Sequence, residues 1–206
     1  MFATPHGPAR AELHHAERPI GALVLGHGAG GGIAAPDLLA ARDAALAAGV
    51  SVALVEQPYR VAGRRAPAPA RQLDAAWTAV LEQLRADRLA GLALVVGGRS
   101  SGARVACRTA AQTGAVAVLC LAFPLHPPGK PETSRIAELD AVALPTLVVQ
   151  GASDPFGMPP AAAGRRVVTL RGSHALRSDA PGLRAAVGGW LPGALAGGAD
   201  AAGRLA

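Results

Sequence analysis

The sequence predicts an α/β fold, a mostly parallel β-sheet covered by helices. Short apolar runs alternate with longer segments of helical period, which is the pattern of strand and crossover helix. Each run is apolar at nearly every position, as strands buried on both faces require. The chain has 206 residues, half of them hydrophobic, enough for one domain spanning 1–206 with a sizeable core and too few for two full ones.

The elements follow in order. The segment ARAELHH (9–15) alternates more than the later runs and has polar flanks, so it is an edge strand. Six core strands are expected: GALVLGH (21–27), VSVALVEQ (50–57), LALVVGG (92–98), AVAVLCLAF (115–123), PTLVVQG (145–151) and RVVTLRG (166–172), all buried on both faces. A helix opens at Pro36 and Asp37 and closes before Gly49, with proline at the first helical position and glycine past the end. Over 71–87, Leu73, Trp77, Val80, Leu81 and Leu84 share one helical face, which covers one side of the sheet. A third helix starts directly after Ser100 and is ended by Gly114, and a last one spans 181–190. RRAPAPA and HPPGKPE are surface loops, RIAELDAV is a short amphipathic segment with Glu138 and Asp140 on its solvated face, and the Gly- and Ala-rich tail after Pro192 frays.

Composition narrows the function. The formal charge is +6, but Lys130 is the only lysine and the arginines are scattered, so no basic stripe forms; aromatics are 3% of residues, too few for base-stacking platforms. Nucleic acid is therefore not an expected partner. The N-terminus MFATPHGPARAELHH lacks the apolar core of a signal peptide, and no segment reaches the roughly 18 apolar residues of a membrane span. A soluble, cytoplasmic protein is expected. Cys107 and Cys120 fall in a helix and a buried strand, where thiols act as small apolar groups, although a disulfide between them stays open. No His/Cys/Asp/Glu cluster has metal-ligand spacing, so no metal is expected.

The stretch VVGGRSSGARVAC (95–107) joins strand to helix through GxSxG. In that context the motif is a nucleophile elbow: Gly98 and Gly102 are required because a Cβ would strike opposing backbone, and Ser100 is exposed at the apex beside a helix N-terminus. A serine hydroxyl needs a histidine base, and the base needs a carboxylate to fix its tautomer. Asp154 follows the strand PTLVVQG and His174 follows RVVTLRG, both at strand ends and in the chain order Ser, acid, His. His126 comes too early for the base and is a loop residue that lines the site at most, while His6, His14 and His15 are surface residues. The loop GHGAGGG (26–32) brings a second amide to an oxyanion hole formed with the Ser101 N–H; Ala29 is the expected donor, with Gly28 its neighbouring alternative, and His27 braces the loop. Arg60, Arg64, Arg65 and Arg99 follow strand ends, where they either attract an anionic substrate or pair with Glu56 and carboxylates near Asp154.

The same loop matches GxGxxG through Gly26, Gly28 and Gly31, with Glu56 ending the next strand, so a dinucleotide site is a competing reading. Against it, the next helix starts only at Pro36 and leaves a pyrophosphate without its helix terminus.

Taken as a set, TPHGPARAEL, LGHGAGGG, PYR…GRRAP, GGRSSGARVA, FPLHPPGKPE and QGASDPFG resemble the α/β-hydrolase superfamily, in particular its small dienelactone-hydrolase-like members. Within these the motifs are similar to a predicted-hydrolase branch that includes a testis-expressed protein and a subunit of the non-specific-lethal chromatin acetyltransferase complex. The resemblance covers 4–190. It implies a doubly wound sheet of seven or eight strands, a triad of Ser100, His174 and Asp154, and no cofactor. It also implies a shallow, open pocket for small or flexible substrates, because the interval 123–144, where larger relatives insert a lid, is short. Two functions follow: a serine hydrolase for a small ester, lactone or thioester, or a non-catalytic interaction module on the same fold.

Overall fold

The computed structural model describes residues 1–202, with side chains described as far as Gly197. Seven strands form one sheet: β1 (Arg10–His14), β2 (Gly21–Gly26), β3 (Val50–Glu56), β4 (Leu94–Arg99), β5 (Ala117–Leu121), β6 (Thr146–Gly151) and β7 (Arg165–Leu170), in the order β1-β3-β2-β4-β5-β6-β7. Only β1 is antiparallel, paired with β3 from Arg10 opposite Glu56 to His14 opposite Val52. The order runs outward in both directions from β2 and β4, so the sheet is doubly wound.

Strand alternation assigns the core to two layers. Ala22, Val24, Ala53, Val55, Val96 and Val118 face α3 (Ala70–Ala86) and α4 (Ser101–Thr113), where Trp77, Val80, Leu84 and Ala106 meet them. Leu23, Leu25, Val52, Leu54, Leu119 and Leu147 face the other way, onto Leu38 and Ala41 of α1 (Pro36–Ala47) and Leu183, Val187 and Leu191 of α6 (Ala180–Ala202). Pro36 occupies the first turn of α1, and Gly49 (φ 74°) and Gly114 (φ 63°) take the left-handed conformation that ends α1 and α4. A one-turn helix, α2 (Pro58–Val61), follows β3, and the interval 123–144 holds only α5 (Ile136–Asp140), so the sheet edge carries no lid. Among the described residues, no helix is long and apolar enough to cross a membrane.

Three expectations need correction. The run RVVTLRG is not buried on both faces: β7 is the edge strand, with Arg166 and Thr169 exposed and Val167 and Val168 half-buried. The last helix does not stop near Trp190 and the chain does not fray at Pro192; α6 runs through that proline to Ala202, held by Leu183, Val187, Leu191 and Leu195 on the sheet, while residues 203–206 of the tail lie outside the described residues. Glu138 is not on a solvated face, since it receives Arg104 Nε (2.8 Å) and lies 3.4 Å from Arg108 Nη1, and Asp140 accepts from Arg165 (2.9 Å). Composition could not reveal this, because the arginines that meet Glu138 come from α4, about thirty residues away in sequence.

Candidate active site

Parallel strands place all their C-terminal ends at one edge of the sheet, and three of the segments leaving those ends carry the predicted residues. Ser100 directly follows β4, Asp154 comes three residues after β6, and His174 comes four after β7. Ser100 has φ 52° and ψ −111°, a backbone conformation that L-residues with side chains rarely adopt. Among the described residues the other non-glycine residues with positive φ are Ala122, just after β5, and Leu176, just after His174, so the strained backbone gathers at this edge.

Two glycines make the Ser100 turn possible. A Cβ on Gly98 would lie 2.6 Å from the Gly26 carbonyl oxygen and 2.7 Å from the Gly102 carbonyl carbon. A Cβ on Gly102 would strike the Gly26 carbonyl and stand 2.8 Å from that of His27. The collision partners therefore lie on the end of β2 as much as within the turn itself.

The three side chains form one hydrogen-bonded series. His174 Nδ1–H donates to Asp154 Oδ2 (2.9 Å), which leaves Nε2 as an acceptor for the Ser100 hydroxyl (2.9 Å). The Asp154 side chain is 1% exposed and that of His174 16% exposed. Asp154 is held further by the Phe156 N–H on Oδ1 (2.9 Å) and by Gln150 Nε2–H on Oδ2 (2.8 Å). The Phe156 ring lies against the imidazole, centroids 4.2 Å apart. A Cβ on Gly151 would meet the backbone of Gly172 and Ser173, so a glycine at the end of β6 lets the acid-bearing and histidine-bearing turns approach. This arrangement can remove the serine proton and stabilise the imidazolium that results.

The glycine loop lies alongside. Gly28 is adjacent to Ser100 and Arg99, the Tyr59 hydroxyl donates to the Ala29 carbonyl (2.9 Å), and the Ala29 and Ser101 amides carry no hydrogen bond among the described residues. His27, 3% exposed, braces the loop from within: Nδ1–H donates to the Gly28 carbonyl (2.8 Å), and Nε2 accepts the Gln57 N–H (3.1 Å). Burial, the largest influence, holds the His27 pKa below the ordinary histidine value of 6.5. An unfolded His27 then takes up its proton at a higher pH than the folded one, so the stability it contributes is present above pH 6.5 and is lost as pH falls toward the folded value. The urea midpoint of the wild type is expected to fall from pH 6.5 downward, by up to about 1.4 kcal/mol of stability per pH unit from this group, and the fall should be shallower in His27→Gln. Equal slopes in denaturation series from pH 7.5 to 5.5 would remove His27 as the cause.

The arginines divide. Arg99 pairs with neither Glu56 nor any carboxylate near Asp154: its Nε donates to Asp37 Oδ2 (2.7 Å) at the start of α1. Burial pushes the Asp37 carboxyl up, and the Arg99 guanidinium partly offsets this. Glu56 pairs with Arg10 (2.8 Å). An open groove of about 510 Å³ is lined by Gly30 to Gly32, Asp37, Arg99, Ala175 and Arg177, so it includes the chain neighbours of Ser100 and His174. Arg64 lines a separate cavity of about 290 Å³ with Tyr59 and Leu73, and Arg65 lines neither. His126 donates through Nδ1 to the Pro127 carbonyl (2.9 Å) and lies against Gly157, apart from the relay. The GxGxxG reading loses its helix, because α1 begins at Pro36, after the glycine loop. No group of three metal-ligating side chains occurs among the described residues.

Residues 19–176 match the family profile described as the alpha/beta hydrolase domain. The chain belongs to the α/β-hydrolase family. No curated protein matches the sequence of this α/β-hydrolase. Solved structures share its fold. They include a lidless α/β serine hydrolase from Xanthomonas campestris (22% identity, TM-score 0.69, covering 90% of this chain and 89% of that one). A second is Est1E from Butyrivibrio proteoclasticus (15%, TM-score 0.76, 95% and 98%). A third is a dienelactone hydrolase from Anabaena variabilis (18%, TM-score 0.69, 92% and 92%).

Sequence reasoning passed over Gln150, Gly151, Phe156, Tyr59 and Asp37. A polar residue and a glycine ending an otherwise apolar strand, QG at 150–151, were a usable signal. Nothing local marked Tyr59 or Asp37, whose partners Ala29 and Arg99 are distant in sequence.

Proposed function

We propose that the chain is a single-domain, cytoplasmic serine hydrolase that cleaves a small ester, lactone or thioester through an acyl-enzyme on Ser100, without a cofactor. The observation that carries this reading is the unbroken series Ser100 to His174 to Asp154, with both hydrogen bonds at 2.9 Å and the acid buried. A buried carboxylate and a histidine held against a strained serine have no use in a scaffold that only binds.

Ser100 Oγ attacks the carbonyl carbon as its proton passes to His174 Nε2. The Asp154 carboxylate holds the imidazolium in place, and the Ala29 and Ser101 amides receive the oxyanion. His174 returns the proton to the leaving oxygen or sulfur, and water then repeats the sequence on the acyl-enzyme. The absence of a lid and the open groove at the Arg99 end of the Ser100 turn support short substrates, and Arg177 on that groove supports an anionic group at the far end. The motifs support placement in the branch that includes the testis-expressed protein and the acetyltransferase-complex subunit.

Pre-steady-state hydrolysis of 4-nitrophenyl acetate tests the reading. The wild type is expected to release a burst of nitrophenol approaching one equivalent, and Ser100→Ala none. A wild type that is folded but gives neither burst nor turnover would favour the interaction module. Replacing acetate by the succinate half-ester tests the charge preference: a lower kcat/KM for the half-ester would rule out the anionic subsite.

A further inference from the structure

We propose that Gln150 is a positioning residue of the relay, an uncharged donor that keeps Asp154 turned toward His174. The inference rests on the hydrolase reading above and adds a residue to it.

Gln150 is the penultimate residue of β6 and is fully buried. Its Nε2 lies 2.8 Å from Asp154 Oδ2, 2.9 Å from the Gly157 carbonyl and 3.1 Å from the Phe123 carbonyl. Three acceptors around one nitrogen fix the amide's orientation, since turning it over would set an oxygen among oxygens. The consequence is that Gln150 Oε1 is buried with no partner among the described residues. A buried polar atom left unpaired opposes folding, and a fold retains one where the rest of the group serves another end.

That end is the carboxylate. Among the described residues no lysine or arginine pairs with the buried Asp154, so N–H donors hold its charge. Phe156 N–H fills Oδ1, while Gln150 and His174 share Oδ2. Without Gln150, the His174 bond alone would hold Oδ2 and the Phe156 N–H alone Oδ1, which leaves the carboxylate freer to turn about its last torsion. An arginine or lysine there would also hold the carboxylate, but its charge would weaken the field that favours the imidazolium. A neutral amide orients the acid and leaves that field intact. Asp154 and His174 are the titratable groups hydrogen-bonded into this cluster, and His126, whose ring lies against Gly157, borders it.

A purely architectural role, tying the Phe123 and Gly157 carbonyls together, makes different predictions. Gln150→Leu should lower kcat for 4-nitrophenyl acetate by about ten- to a hundredfold, the loss of one hydrogen bond to a charged group, with KM little changed. Gln150→Glu keeps the shape and reads out through pH. At low pH the introduced carboxyl is protonated and donates to Asp154 Oδ2 as the amide does; as pH rises it ionises, two carboxylates face each other, and kcat/KM should fall along a descending limb that the wild type lacks. A Gln150→Glu profile of wild-type shape, or a Gln150→Leu loss confined to KM or absent, would overturn the inference. If Gln150→Leu does not fold, the Gln150→Glu profile decides alone. Fluorophosphonate labelling separates the two levels: a wild type that does not label defeats the hydrolase reading and this one with it, whereas a wild type that labels while both variants label at its rate and pH dependence defeats only the role of Gln150.

Discussion

Asp154→Asn is expected to lower kcat for ester hydrolysis by about 10⁴-fold, the size of loss that accompanies a wrong histidine tautomer in the Ser-His-Asp template. The reason lies in the count of donors. Asp154 receives three N–H groups, from Phe156 on Oδ1 and from Gln150 and His174 on Oδ2. Asparagine offers one oxygen and one NH₂. If the NH₂ replaces Oδ2, it opposes the Gln150 amide and forces His174 to accept at Nδ1, so Nε2 carries the proton and cannot take that of Ser100. If it replaces Oδ1, it opposes the Phe156 N–H. One of these conflicts is unavoidable, and a stability loss of about 1–3 kcal/mol should accompany the kinetic one. Steady-state kinetics with urea denaturation of the same sample checks both, and retained activity would remove Asp154 from the mechanism.

Gly102→Ala should cost about 3 kcal/mol or more, because the new Cβ meets rigid backbone on two sides. The Gly26 carbonyl carbon would stand 2.6 Å away and the His27 carbonyl oxygen 2.8 Å away, and neither can rotate aside. The N-terminus of α4 must then lift off the end of β2, which also displaces Ser100 and the Ser101 amide, so activity should fall with stability. Gly30→Ala is the control: nothing lies within 4 Å of its Cβ position, and its urea midpoint should stay within about 0.5 kcal/mol of wild type. Equal midpoints for the two variants would show that the turn relaxes freely.

The parallel sheet and the meeting of Ser100, Asp154 and His174 were legible in the sequence for a shared reason. Buried parallel strands are apolar throughout, and their C-terminal ends are all at one edge, so a serine, an aspartate and a histidine after β4, β6 and β7 converge without any need to predict distances. β7 misled because an apolar run does not say whether a neighbouring strand exists to cover it. The extent of α6 misled because Gly and Pro argue against a helix locally, whereas apolar residues such as Leu191 and Leu195 hold it onto the sheet. Asp37 stayed hidden because its role exists only through a partner brought in by the fold, Arg99 at the end of β4.

Fluorophosphonate labelling followed by intact-mass and peptide analysis tests most directly whether the convergent relay makes Ser100 a nucleophile at neutral pH. The account predicts a single adduct on Ser100, and no adduct in Ser100→Ala or, on the same timescale, in His174→Ala. A folded wild type that stays unmodified, or an adduct on Ser101 or any other residue in place of Ser100, would contradict it.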